Sequence, residues 1–163
     1  LGDVYKRQND MTGESVISDD MRAVVGVESD PITYEVEKGA IVKFAQAIGD
    51  NSPIFNNEEA ARDSAYGGII APPTFMRSLI SNPVPDFNNP YNAVVDGGSE
   101  WEYYEPVRPG DRITVRSKIA DLFERPGRLG NMLFTIRETS YTNQFEKIVA
   151  LQRTTGISYE PPE

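Results

Sequence analysis

Histidine and cysteine are both missing from the 163 residues. Without cysteine there is no disulfide framework and no thiolate nucleophile. Without histidine the usual proton shuttle is gone, and with it most zinc and iron sites. No metal and no cofactor are therefore expected. Apolar runs are short, and none approaches the roughly eighteen residues of a membrane span or has the form of a secretory signal. A soluble chain of the cytoplasm is the expectation. Positive charge is also scarce. Residues 1–99 hold seven Lys and Arg against fifteen Asp and Glu, residues 100–163 nine against ten, and the net charge is −9. A surface this acidic argues against nucleic acid and anionic membrane as partners.

What is present reads as one globular domain, of a size to bury a single core. Residues 1–10, LGDVYKRQND, show no periodicity. LGDVYKRQ resembles a translated sequencing adapter, with Met11 or Met21 as the expected start. Residues 1–15 are set aside as a disordered or artefactual leader, and 16–160 as the domain. Ser18-Asp19-Asp20 predicts a capped helix through Met21 to Val25, ended by Gly26. Ile32, Tyr34 and Val36 alternate with polar neighbours, the period of a half-buried strand. Ile41, Phe44, Ala45 and Ile48 share one helix face, with Gly49 where a terminating glycine belongs.

Asp50 follows just past the negative end of that helix. The dipole disfavours a carboxylate there, which makes it a candidate proton carrier; the alternative is a local turn bond with Asn51 and Ser52. Asn57 with Glu58 and Glu59 predicts a helix through Ala60, Ala61 and Ala65, stopped by Gly67-Gly68. Pro72-Pro73 opens another helix, with Phe75, Met76, Leu79 and Ile80 as its apolar stripe. Residues 81–92 are rich in Pro and Asn and predict a long loop. Four strands follow. They carry Trp101 and Tyr103; Ile113, Val115, Ser117 and Ile119; Met132, Phe134 and Ile136; and Val149 to Ile157. Short turns between them imply an antiparallel meander. The fold class is α+β, one sheet wrapped around a central helix.

The segments FAQAIGDNSPIF, EEAA, GGIIAPPTF and YEPVRPGD occur in this order. Together they resemble the MaoC-like hot-dog dehydratases and hydratases, most of all the N-terminal domain of the fatty-acid-synthase type, over residues 20–159. The resemblance implies a single hot-dog fold acting on acyl-CoA or acyl-carrier thioesters. Active members use an Asp and a His five residues later, and a backbone N–H at the start of the central helix polarises the thioester carbonyl. Carried over, the Asp is Asp50, the His position is Phe55, and the oxyanion position falls at Pro72 or Pro73, which have no N–H.

The expectation is then a subunit of a (3R)-hydroxyacyl-thioester dehydratase or enoyl-CoA hydratase. It would depend on a MaoC-type partner for the Asp–His pair and pair as a heterodimer or homodimer. Asp50 is the catalytic candidate; Ile54, Phe55, Tyr66, Pro72 and Phe75 are candidates to line the acyl channel, with core packing the competing reading. Arg108, Arg112, Arg125 and Arg128 are weighed as coenzyme A contacts against solvated turn charges. The alternatives are an acyl-thioester-binding homodimer without chemistry and, ranked last, a hot-dog thioesterase using Asp50 as base.

Overall fold

The structure, a computed structural model, describes residues 15–128 and 130–161. Most of the leader discussed above, residues 1–14, lies outside them. Helix α1 (Asp19–Ala23) is capped as expected, with the Ser18 hydroxyl accepting from the Met21 N–H at 3.3 Å. Strand β1 (Ile32–Glu35) leads into α2 (Lys38–Ala47), which buries Ile41 and Ala45. The end of α2 is fixed by backbone geometry. Gly49, at φ 72°, donates to Gln46 O, and Asp50 N–H donates to Ala45 O at 2.9 Å. This pair of reversed bonds caps the helix and needs a left-handed residue, which glycine supplies without strain.

Helix α3 is shorter than its sequence pattern predicts. It spans Glu58–Arg62, with Asn57 Oδ1 accepting from Ala60 N–H at 3.0 Å, and stops before Ala65. The Ser64 hydroxyl donates to Ala61 O at 2.6 Å and accepts from Tyr66 N–H at 3.1 Å. A serine that takes a helix carbonyl in this way offers the chain a turn in place of the next helical bond.

The helix expected from Pro72-Pro73 is a 3₁₀ segment, Pro73–Ser78, rather than an α-helix. Two prolines remove two N–H donors, and the bonds that remain close over three residues: Phe75 N–H to Pro72 O and Leu79 N–H to Met76 O. The 3₁₀ period rotates the stripe. Phe75, Met76 and Leu79 are buried, while Ile80 is 71% exposed instead of joining them.

Strands β2 (Ala93–Tyr103), β3 (Arg112–Gly127), β4 (Gly130–Thr142) and β5 (Ile148–Tyr159) complete one sheet in the order β1-β3-β4-β5-β2, antiparallel throughout. β2 begins at Ala93, eight residues before the Trp101 that marks it in the sequence. A bulge at Gly97 interrupts its register with β5; a Cβ there would sit 2.8 Å from Thr155 Cγ2. The core lies where the sheet meets α2 and the 3₁₀ segment, and joins Ile41, Phe75, Met76, Leu79, Ile113, Val115 and Tyr141. Phe44 packs edge-on against Phe75, with ring centroids 5.4 Å apart. The sheet therefore curves around α2 and a short proline-opened segment. The 81–92 loop then crosses its face, pinned by Tyr34 Oη donating to Ile80 O at 2.7 Å, Asn82 to Asp30 O, and Asn89 to Ser158 Oγ at 2.9 Å.

Candidate functional site

The turn after α2 holds Asp50 half-buried. Its Oδ1 accepts from Ser52 N–H at 3.0 Å, while its own N–H closes the helix cap. Of the two roles open to this carboxylate in the sequence, the structure shows the local turn bond. Pro53–Phe55 form one 3₁₀ turn, and Phe55 N–H donates back to Ser52 O. Phe55 is 5% exposed and packs with Ala45, Ile54 and Ile70 in a small apolar cluster separate from the main core.

The segment 69–73 joins this turn to a groove. Ile70 N–H donates to Ile54 O at 3.2 Å, and Ala71 N–H donates to Val107 O at 2.7 Å. Pro72 and Pro73, which follow, have no N–H, so four successive backbone positions at the entry to the 3₁₀ segment offer a ligand no donor. The groove itself has a volume of about 210 Å³ and is lined by Tyr66, Ile70, Pro72, Met76, Tyr103 and Val107, among others. Its walls are mostly apolar and aromatic, with a few polar ends, which is the usual composition of a small-molecule site.

The sequence candidates divide across this geometry. Tyr66, 43% exposed, and Pro72 line the groove. Phe55 and Ile54 lie one layer behind it, in contact with its wall through Ile70. Phe75 sits in the main core against Phe44. Asp50 does not line the groove. Arg108 is tied to this region, its Nη2 donating to Tyr66 O at 2.8 Å. Arg125 instead lies over the rings of Phe123 and Phe134, while Arg112 and Arg128 are exposed.

The groove is also lined by Tyr103 and Tyr104, which the sequence did not single out as site residues, while Tyr141 lies in the core beside them. Trp101 stacks on both Tyr103 and Tyr141, each at 5.7 Å between centroids. Burial pushes the Tyr141 hydroxyl up to about 12, Tyr103 adds to the rise, and the Arg77 guanidinium opposes it. Burial likewise raises Tyr103, again against Arg77. Both phenols are therefore neutral donors at ordinary pH. The signal that would have found Tyr103 is the shared face of alternate β2 residues, 101 and 103, read together with the proline-opened segment that packs above it.

One antiparallel sheet curved around a short central segment, with a groove at the mouth of that segment, is the hot-dog architecture. Residues 23–152 match the family model described as "FAS1-like, dehydratase domain region", and the chain belongs to that family; its fold is shared with a MaoC-like dehydratase from Rhodospirillum rubrum, at a TM-score of 0.66 and 24% identity, covering 85% of this chain and 94% of that one. A UPF0336 protein of Streptomyces avermitilis is 34% identical over 122 residues, covering 71% of this chain and 79% of its own. A probable enoyl-CoA hydratase alpha subunit of Thermomonospora curvata is 27% identical over 137 residues, covering 72% of this chain and 43% of that subunit. Among solved structures, the ChsH1–ChsH2 complex from Mycobacterium tuberculosis superposes with a TM-score of 0.72 at 21% identity, covering 83% of this chain and 86% of the matched one. Among the described residues no helix is long and apolar enough to cross a membrane, and no group of His, Cys, Asp and Glu is placed to hold a metal ion.

Proposed function

We propose that this chain is a subunit of a (3R)-hydroxyacyl-thioester dehydratase or enoyl-thioester hydratase. It shapes the acyl site and takes its Asp–His pair from a MaoC-type partner chain. One observation carries the reading: the position five residues after Asp50 is a phenylalanine buried in an apolar cluster, in a chain with no histidine. A phenyl ring moves no proton, and general acid–base work at the acyl chain needs a group that does. The backbone points the same way, because the N–H groups of Ile70 and Ala71 are engaged and Pro72 and Pro73 have none. An oxyanion donor is then required from elsewhere. That relatives include a subunit of a probable hydratase, and a structural neighbour is a complex of two chains, supports a partnered enzyme.

Mixing tests this directly. The purified chain is expected to hydrate crotonyl-CoA no faster than buffer. Adding a MaoC-type partner chain that carries the Asp–His pair is expected to restore turnover. Full activity from the lone chain would end the proposal. A second reading, an acyl-thioester-binding homodimer without chemistry, is favoured by the engagement of Asp50 in its own turn. Acyl-CoA that raises the melting temperature, without turnover in any mixture, would select it.

A further inference from the structure

The inner face of the sheet changes character along its length. Next to the core it carries Val115, Tyr141 and Ala150, which pair across β3, β4 and β5. One step on it carries Ser117, Thr139 and Gln152, and one step further Ile119, Arg137 and Thr154, with Ser99 beyond on β2. Ser117 and Thr139 satisfy each other at 2.6 Å. Arg137 has no such partner: among the described residues no carboxylate lies within ion-pair distance of it.

The 3₁₀ segment brings a second cation to the same place. Arg77 and Arg137 line one groove of about 240 Å³ whose other walls include Ser117, Thr139, Gln152 and Thr154, and no acidic side chain. The groove opens into a wider space of about 720 Å³ beneath the 81–92 loop, sharing Ile80, Ser81, Arg137 and Thr154 with it. Asp86 lines that wider part, where its Oδ1 accepts from Phe87 N–H at 2.9 Å. Along β5, Ala150 faces the Tyr66 groove and Thr154 faces Arg137. Four residues of strand span about 13 Å.

We propose that Arg77 and Arg137 form an anion site on the inner face of the sheet, which receives a carboxylate or phosphate carried by the ligand. An apolar occupant would strip water from an unpaired guanidinium without replacing its hydrogen bonds, which is strongly unfavourable. A carboxylate or phosphate pairs with guanidinium through two parallel N–H···O bonds, and the threonine and glutamine side chains supply further polar contacts. The chain carries a net charge of −9, so two cations converging on a groove without a carboxylate are not explained by the general field of the surface. The proposal rests on the acyl-thioester reading only for which molecule brings the anion.

Calorimetric titration of the whole chain at low salt tests it with three probes. The glutaryl thioester of N-acetylcysteamine carries a carboxylate and no phosphate, the butyryl thioester carries neither, and coenzyme A carries phosphates alone. At least one anionic probe is expected to bind about tenfold or more tighter than the butyryl thioester. That advantage is expected to fall about tenfold in Arg77→Gln and in Arg137→Gln, to vanish in the double variant, and to survive in part in the lysine variants. Glutaryl binding that responds assigns the carboxylate, and coenzyme A binding that responds assigns the phosphate. Arg62→Gln, on α3, makes the same change in net charge and is expected to leave all affinities unchanged. The proposal is overturned if Arg77→Gln and Arg137→Gln behave like Arg62→Gln while melting like the parent, or if neither anionic probe outbinds the butyryl thioester. Failure to restore hydration with a partner would sink the dehydratase reading and leave these binding results untouched.

Discussion

Asp50 Oδ1 accepts the backbone N–H of Ser52 at 3.0 Å, so the carboxylate proposed as a proton carrier is holding its own turn together. Asn offers the same acceptor and Ala does not. Asp50→Asn is expected to melt within a degree or two of the parent, and Asp50→Ala to lose about 1 kcal/mol in urea unfolding. In the mixed, active preparation, equal hydration rates for parent and Asp50→Asn would assign Asp50 to structure alone. A fall of about a hundredfold or more would give it a proton-transfer role.

Replacing Phe55 by histidine would create the Asp–x4–His spacing that the resemblance implies, and is not expected to supply the chemistry. The side chain is enclosed by Ala45, Ile54 and Ile70, and the nearby N–H groups of Ile70 and Ala71 remain engaged. Phe55→His is expected to add no crotonyl-CoA hydration to the lone chain. It should also cost about 2 kcal/mol or more of stability, because it puts a polar ring among apolar neighbours. Hydration above background in this variant would mean that the turn already presents a working site.

Phe44 and Phe75 tie α2 to the 3₁₀ segment edge-on. Phe75→Ala is expected to cost about 3–5 kcal/mol, and Phe44→Ala less, because Phe44 is only partly buried. Chemical denaturation reads both. Coupling between them, measured in the double variant, should be favourable by about 1 kcal/mol.

Glu138 sits between Lys118 Nζ at 3.1 Å and Arg153 Nε at 2.9 Å. Burial would raise its pKa, but hydrogen bonds and charge from Lys118 and Arg153 outweigh burial and lower it. The folded state therefore binds this proton less readily than the unfolded chain. The stability it contributes is complete above the ordinary glutamate range and is lost as pH falls through the lowered value. Glu138→Gln is expected to cost about 1 kcal/mol at pH 7 and nothing once the parent carboxylate is protonated. Urea titrations of both proteins at pH 7 and pH 3 measure the difference, and a constant gap at both would refute the assignment.

The sequence already contained the local rules. Ser18 and Asn57 cap their helices, and Gly49 closes α2, because each acts on groups within four residues of itself. The alternation of Ile113, Val115, Ser117 and Ile119 set the buried face of β3, because strand period alone decides which side chains point together. Where neighbours in space compete, local rules ran out. Ser64 ended α3 early by taking a carbonyl, and two prolines turned an expected α-helix into a 3₁₀ segment that throws Ile80 outward.

By itself the sequence determined the family and the strand-forming second half, since residue type and spacing carry both, and it put a phenylalanine five residues after Asp50 in a chain without histidine. Only the tertiary structure decided that Phe55 lies behind the groove wall. It alone brought Arg77, in the 3₁₀ segment, into the same groove as Arg137 in β4. Such meetings depend on strand order and on the path of the chain over the sheet, set by long-range packing that no local pattern encodes.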